Sequence, residues 1–439
     1  MHRYVIIGGG AGGLELATRP GDRLGFSQRA HVTLVDRKRT HIWKPLLHEV
    51  AAGSLDPSHQ ELAYAAQAAW HGFDFQLGDL VGLDRTGRKV IVGRVVDEEA
   101  GELLPRRELH YDSLVITIGS TTAFFGVKGA EANSIALDSV ASAEIFRKRL
   151  ISTCVRAQHG SLTPGDVDAC QPRVQVAIVG AGATGVELSA ELRKTAHVLS
   201  TYGLHKLDPK HGIGIVLIEA GPRILPALSE RVSGATAFHL EKLGVRVMTG
   251  ERVAEVSSEA IHTASGKVVQ ADLTVWAAGI KAPAVLAELD GLPANRIGQL
   301  HVRRTLQTTV DDNIFAIGDC AAWLWPGNEN NVPPRAQAAH QQARFLVGAL
   351  ERRLGGRALA EYTYRDFGSL VSLGRFSAVG SLMGGLIGGS VLIEGLFARF
   401  MYRSLYRMHV VALHGYARMV TRTLAHWLRR STVPRVKLH

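Results

Sequence analysis

Two stretches of the chain repeat one pattern: an apolar strand, a glycine-rich turn, a helix, and a later strand that ends in an acid. The first runs from Tyr4 to Asp36 and the second from Val174 to Glu219. In the first, Tyr4-Val5-Ile6-Ile7 leads into Gly8-Gly9-Gly10-Ala11-Gly12-Gly13. In the second, Val176-Ala177-Ile178-Val179 leads into Gly180-Ala181-Gly182-Ala183-Thr184-Gly185. Both fit GxGxxG directly after a strand, the arrangement that lets backbone close on a pyrophosphate. The first glycine of each (Gly8, Gly180) permits the tight turn. The second (Gly10, Gly182) admits phosphate, and the third (Gly13, Gly185) lets the helix pack on the strand. From Ala11 onward the helix offers N–H groups and a partial positive charge to an anion.

The acids complete each unit. Asp36 follows Gly13 by 23 residues and ends His31-Val32-Thr33-Leu34-Val35, placed to accept hydrogen bonds from a ribose. Glu219 follows Gly185 by 34 residues, and the polar stretch from Tyr202 to Gly212 accounts for the extra length. A carboxylate there repels a 2′-phosphate and favours NADH over NADPH, although Arg223 lies nearby and opposes that preference. Two such folds in one chain call for two dinucleotides. The economical pair is a resident FAD and a visiting NADH, because a nicotinamide gives hydride and a flavin takes it.

The expected architecture is α/β, with two Rossmann-like dinucleotide-binding domains and a C-terminal amphipathic helical region that binds membrane. The divisions expected are 1–122 for the first part of the FAD domain and 123–298 for an inserted NADH domain. Residues 299–380 return to the FAD domain and 381–439 form the membrane-binding region. Ser152 to Pro172 reads as a connector, and Arg335 to Leu350 as a helix after Pro333-Pro334.

Of 439 residues, 46% are hydrophobic and 21% charged, a globular balance. The net charge of +10 is concentrated at one end: residues 395–439 hold nine Lys or Arg and no Asp or Glu. Charge confined to a tail without helix-turn-helix or aromatic context argues against nucleic acid as a partner. Phe397, Phe400, Met401, Leu405, Met408, Val411 and Ala412 fall on one helical face, with Arg399, Arg403 and Arg407 opposite. Tyr416, Met419, Val420, Leu424, Trp427 and Leu428 repeat this against Arg418 and Arg422. That is the pattern of helices lying in a bilayer interface, where each Arg near anionic headgroups contributes roughly 1 kcal/mol. Cys154, Cys170 and Cys320 show no close pairing, which fits a reducing compartment and no disulfide relay. No metal site is expected. The N-terminus enters its first strand at once, so no signal peptide is expected. The uncharged run Phe376 to Ile393 is rich in glycine and reads as β structure rather than a membrane span.

Taken in order, GGGAGG, GAGATGVE and Phe315-Ala316-Ile317-Gly318-Asp319-Cys320-Ala321 resemble the two-dinucleotide-binding-domain flavoproteins. Within that group the chain is most similar to the type II NADH:quinone oxidoreductases, single-subunit alternative NADH dehydrogenases, and to their proteobacterial branch. Ala336-Gln337-Ala338-Ala339-His340-Gln341 matches the quinone-site signature AQxAxQ. His41-Ile42-Trp43-Lys44-Pro45-Leu46-Leu47 resembles the flavin-side loop, and Trp276-Ala277-Ala278-Gly279-Ile280 the strand beside NADH. The resemblance implies flavin contacts from Gly8, Gly10, Ala11, Gly13, Asp36, Lys44, Gly119, Asp319 and Gln337, with Asp319 at the start of a helix. It implies NADH contacts from Gly180, Gly182, Gly185, Glu187, Glu219, Ala278 and Gly279, and quinone contacts from Ala336, Gln337, Ala339 and Gln341. The small alanines would let a flat ring approach. Gln337 and Gln341, four apart on one face, would each donate to a quinone carbonyl as its charge rises.

Glu187, two residues past Gly185, is implied to lie near flavin and nicotinamide and to steer protons or electrons toward quinone. The alternative reading of Glu187 is structural: a first-turn acid favoured by the helix dipole. Some relatives carry Lys where this chain has Phe376, so a Lys–Glu187 pair is not expected. The implied activity is NADH oxidation with transfer of two electrons to a membrane quinone. It would not pump protons, since no charged span is evident. The implied location is the cytoplasmic face of a bacterial inner membrane, held peripherally; dimerisation is left open. Two other readings compete: a sulfide:quinone reductase, which needs redox cysteines, and a membrane-attached NADH-binding sensor.

Overall fold

The computed structural model describes residues 1–159, 174–202, 208, 212–327, 331–373, 378–383 and 390–394. Beyond these it describes 404, 407–411, 413, 415–416, 419–421, 423–425 and 428. The elements that position the site are, in chain order, β1 (His2–Ile7), α1 (Ala11–Pro20), β2 (Ala30–Asp36), α2 (Leu47–Ala51), β3 (Asp74–Leu77), β4 (Ser113–Ile116) and β5 (Ile135–Ala136). They continue with α3 (Val140–His159), β6 (Val174–Val179), α4 (Ala183–Thr201), β7 (Ile213–Ile218), β8 (Val245–Met248) and β9 (Leu273–Trp276). Last come β10 (Ile314–Ala316), α5 (Ala336–Leu354) and β11 (Ser369–Ser372).

Two parallel five-stranded sheets result. One has the order β10-β4-β1-β2-β3 and the other β5-β9-β6-β7-β8. The central strand of each is almost wholly apolar because helices or a second sheet cover both faces. Tyr4 to Ile7 and Val176 to Val179 are all buried. The registers match: His2 faces Ala30 and Ile7 faces Val35 across β1–β2, as Val174 faces Ile213 and Val179 faces Ile218 across β6–β7. Each pairing carries its turn and its acid to the carboxyl edge of its sheet, where ligands bind in open α/β sheets. The first sheet takes β10 from far downstream, so the second sheet lies within its connectivity.

The two halves share packing. From α2 and the residue after it, Leu47, Val50, Ala51 and Ala52 lie in one apolar core with Leu150 of α3, Val186 and Leu188 of α4, and Val371 of β11. Burying Leu47 and Val50 is worth about 1.5–3 kcal/mol each. Helix α3 extends further than the expected connector allows, because Leu150 and Cys154 are buried on its inner face and carry the helix to His159. Residues 160–173, which include Cys170, lie outside those described, as does most of the Tyr202–Gly212 stretch.

Within the uncharged run, Ala378–Met383 pairs antiparallel with both β11 and Ser390–Glu394, the β structure its composition predicts. Among the described residues no helix is long and apolar enough to cross a membrane. Described residues from 404 to 428 are helical, Arg407 among them; Arg399, Arg403, Arg418, Arg422 and Phe376 lie outside the described set.

Candidate functional site

The two turns are near-copies. Gly8 and Gly180 both have φ of 101°, which only glycine adopts without strain. A Cβ on Gly13 would stand 1.8 Å from the Gly8 carbonyl oxygen, and one on Gly185 would stand 2.0 Å from that of Gly180. Gly10 and Gly182 precede α1 and α4 in extended conformation, without a side-chain cap, and a Cβ on either would meet nothing within 4 Å. Open backbone at an uncapped helix start fits a pyrophosphate.

The acids are placed alike. Asp36 accepts from the N–H of Gly9 at 2.6 Å and of Lys38 at 2.8 Å. Glu219 accepts from Ala181 N at 2.9 Å and Gly221 N at 2.8 Å. Each carboxylate is thereby aimed at the space over its turn. The guanidinium of Arg223 is turned onto the carbonyls of Leu228 at 2.7 Å and Pro226 at 3.0 Å. Gly180 lies against the backbone of Ala278, and Gly279 under the ring of Phe125.

Asp319 departs from expectation. It lies in a 3-10 turn, Gly318–Cys320, that leads into a short strand, and α5 begins only at Ala336. Pro333 and Pro334 intervene and delay the helix. Its carboxylate accepts from Ser120 Oγ at 2.8 Å. Burial pushes it above the usual carboxylate range, against the pull of Ser120 and the nearby Lys44 ammonium. Gly119, with φ of 72°, leaves open space beside it. Gln342 of α5, buried and absent from the sequence reading, accepts from Gly318 N at 2.7 Å and ties the turn to the helix.

On α5, Ala339 packs against Gly12 of α1 and Gly318, so close helix packing accounts for its size. Gln337 donates to Asp366 Oδ1 at 3.0 Å and to the Gly368 carbonyl at 3.2 Å. Gln341 donates to the Arg365 carbonyl at 2.8 Å and accepts from Arg365 N at 3.0 Å. Both glutamines thus hold the segment that leads into β11. At the other end of β11, Ser372 N donates to Glu187 Oε1 at 3.0 Å. One strand therefore ties the α5 glutamines to Glu187.

Several contacts among buried groups have no counterpart in the sequence pattern. His41 contacts the Gly9 carbonyl at 2.9 Å and His409 at 3.0 Å, and Tyr64 donates to the same carbonyl at 2.7 Å. Burial lowers the His41 pKa to about 4. Trp43 lies 4.2 Å from the ring of His409 and 5.5 Å from that of His340, and His340 bonds to the buried Glu15 of α1. His48 of α2 lies 3.3 Å from Glu187. Spacing carries no signal for these, since every partner is distant in sequence. Cys154 and Cys320 are buried, which pushes each thiol up to about 12 and favours the protonated form over the nucleophilic thiolate. Among the described residues no cluster could hold a metal.

Residues 2–343 match the family model of the pyridine nucleotide-disulphide oxidoreductases. The type II NADH:quinone oxidoreductase of Haemophilus influenzae is 44% identical over the full length of both chains. The chain belongs to the type II NADH:quinone oxidoreductases. The family's Ndh of Mycobacterium tuberculosis is 28% identical over 97% of this chain and 87% of its own. Among solved structures, NDH2 of Plasmodium falciparum in complex with NADH superposes with a TM-score of 0.82 at 17% identity, covering 100% of this chain and 99% of that one. The sulfide:quinone oxidoreductase of Aquifex aeolicus shares the fold at a TM-score of 0.71 and 18% identity, over 94% and 92%. Family membership accounts for the paired turns.

Proposed function

We infer that the protein oxidises NADH through a resident FAD and delivers two electrons to a quinone. The observation that carries this is the duplicated turn, each copy with its own acid, joined to the AQxAxQ helix by β11. FAD, when bound, accepts hydride and releases electrons to quinone. The first turn, Ala11, Asp36, Lys44, Gly119, Asp319 and Gln337 hold the flavin dinucleotide. Gly180, Gly182, Gly185, Ala278 and Gly279 receive NADH, and Glu219 selects it over NADPH. The guanidinium of Arg223 is occupied by backbone carbonyls and so is not turned toward a 2′-phosphate. Glu187 holds a proton near the reacting rings. Ala336, Gln337, Ala339 and Gln341 front the quinone, and each glutamine would exchange a bond to residues 365–368 for one to a quinone carbonyl.

The membrane reading rests on apolar exposure. Tyr416, Val420, Leu424 and Leu428 recur every four residues and are 76%, 48%, 56% and 64% exposed. Apolar side chains at that spacing, beside the basic residues of 395–439, suit an anionic lipid surface. We place the protein peripherally on the cytoplasmic face of the bacterial inner membrane.

The deciding experiment is anaerobic. NADH should bleach the flavin, added quinone should restore its colour, and sulfide should do nothing. Bleaching by sulfide, or a single reduction without turnover, would transfer the case to the competing readings. A chain ending at residue 394 should lose binding to anionic vesicles; retained binding, or a change only in oligomeric state, would move the lipid contact elsewhere.

A further inference from the structure

Helices α2 and α4 enclose ionisable side chains that neither dinucleotide fold requires. His48 is buried, its Nδ1 3.3 Å from Glu187 Oε2 and its Nε2 4.0 Å from Glu49 Oε1. The side chain of Glu187 is 7% exposed and that of Glu49 30%. The ring thus stands between an interior carboxylate and one that reaches solvent. Glu191, one turn beyond Glu187, also faces the ring. Burial pushes Glu191 up, but Lys194, Ser54 and His48 together bring it below its usual range. Burial likewise lowers the His48 pKa to about 4, against Glu191 and the Pro45 carbonyl and with Lys194. The imidazole is therefore neutral at physiological pH, and its contact with Glu187 is a proton-sharing one rather than an ion pair. A neutral imidazole takes a proton at one nitrogen while giving one from the other.

We propose that His48 carries the solvent proton consumed in each turnover from Glu49 inward to Glu187. The proposal rests on the NADH:quinone reading. In that reaction NADH, one solvent proton and a quinone become NAD⁺ and a quinol, so one proton must enter. The Glu49 carboxyl gives a proton to Nε2, and Nδ1–H gives one to Glu187 Oε2. An N–H bond forms as another breaks and no electrons are transferred; the ring is left as the Nε2–H tautomer, and exchange of its protons with solvent returns it to the Nδ1–H form before the next turnover. Closing the 4.0 Å gap takes about 1 Å of motion at Glu49. His48 acts through Glu187 and touches neither dinucleotide turn.

The test uses the holoenzyme and two variants. His48→Asn keeps a nitrogen donor near the Nδ1 position but cannot pass a proton through a ring, and Glu49→Gln removes the entry carboxyl. Both should slow quinone-dependent flavin reoxidation by about tenfold or more above about pH 8. Flavin reduction by NADH should be slowed much less. Added imidazole should partly rescue His48→Asn, and proton uptake followed with an indicator dye should lag in step. In ¹⁵N-histidine-labelled oxidised protein, the signal missing from His48→Asn should remain that of a neutral ring down to about pH 5. Reoxidation and pH profiles unchanged in both variants, or a charged His48 at neutral pH, would overturn the relay. If His48→Asn does not fold, Glu49→Gln at the surface decides alone. Wild-type protein that is not bleached by NADH, or not reoxidised by quinone, would instead overturn the underlying activity.

Discussion

The two glycine turns agree within a few tenths of an ångström at the contacts that shape them, yet their surroundings differ. Around the first, Gly9 is pressed by the ring of Tyr64, and its carbonyl is held by Tyr64 and His41. Helix α1 is fastened to α5 through Gly12 against Ala339 and through Glu15 with His340. Around the second, Ala183 and Thr184 at the start of α4 are exposed, and among the described residues no second helix covers them in that way. On the proposed assignment one fold would serve two ends: enclosed on several sides it would retain a dinucleotide, and open at the helix start it would let one come and go.

The largest effect should come from filling the tightest contact in each turn. Gly13→Ala places a methyl 1.8 Å from a backbone oxygen. The protein should purify without flavin and lose at least about 3 kcal/mol of stability in thermal melts. Gly185→Ala meets the same clash at 2.0 Å. It should stay yellow while kcat/KM for NADH falls by about a hundredfold or more. Flavin loss in both, or in neither, would end the distinction between a retaining turn and an exchanging one.

Acid should loosen the enclosed end. His41 and His48 are both buried with pKa lowered to about 4. Unfolded, each takes up a proton below about 6.5, so their contribution is full above that pH and is lost as pH falls toward about 4. Each accounts for roughly 3 kcal/mol. Melting temperature and flavin retention should decline together over that window, and His41→Asn should flatten the slope.

Smaller effects sharpen the comparison further. Glu219→Gln should raise KM for NADH about tenfold, narrow the preference over NADPH, and leave flavin content unchanged. Gly12→Ala brings a methyl to 3.1 Å from Ala339 O, which should cost about 1–2 kcal/mol. The matching change in the open turn, Thr184→Ala, should cost under about 0.5 kcal/mol.

What could be read from sequence was local. Strand, glycine turn, helix and terminal acid follow one another within a few dozen residues, so both folds and their acids were legible in order. The place of Asp319 was not, because a Gly-Asp after a strand opens a helix or a 3-10 turn alike until Pro333-Pro334 is seen to delay the helix. The end of α3 was missed for a related reason: its polar surface reads as a connector unless Leu150 and Cys154 are known to be covered. His48, Glu15 and Gln342, and the contacts that His41 makes, were silent because each is defined by a partner elsewhere in the chain, and a buried histidine has no periodic signature. The glutamines of α5 were found by resemblance, but their hold on residues 365–368 depends on tertiary approach.

The short helix α2 has a mechanical consequence. It issues from the half that carries the first glycine turn, yet its apolar face lies inside the core of the half that carries the second. Swinging the halves apart would bring Leu47 and Val50 into water at a cost of about 3–6 kcal/mol. A clamshell cycle of opening and shutting is therefore a poor route for coenzyme exchange. Traffic should run through movements of single side chains at the rim, such as the exposed Phe125 over Gly279, while the spacing between donor and acceptor rings stays fixed from one turnover to the next.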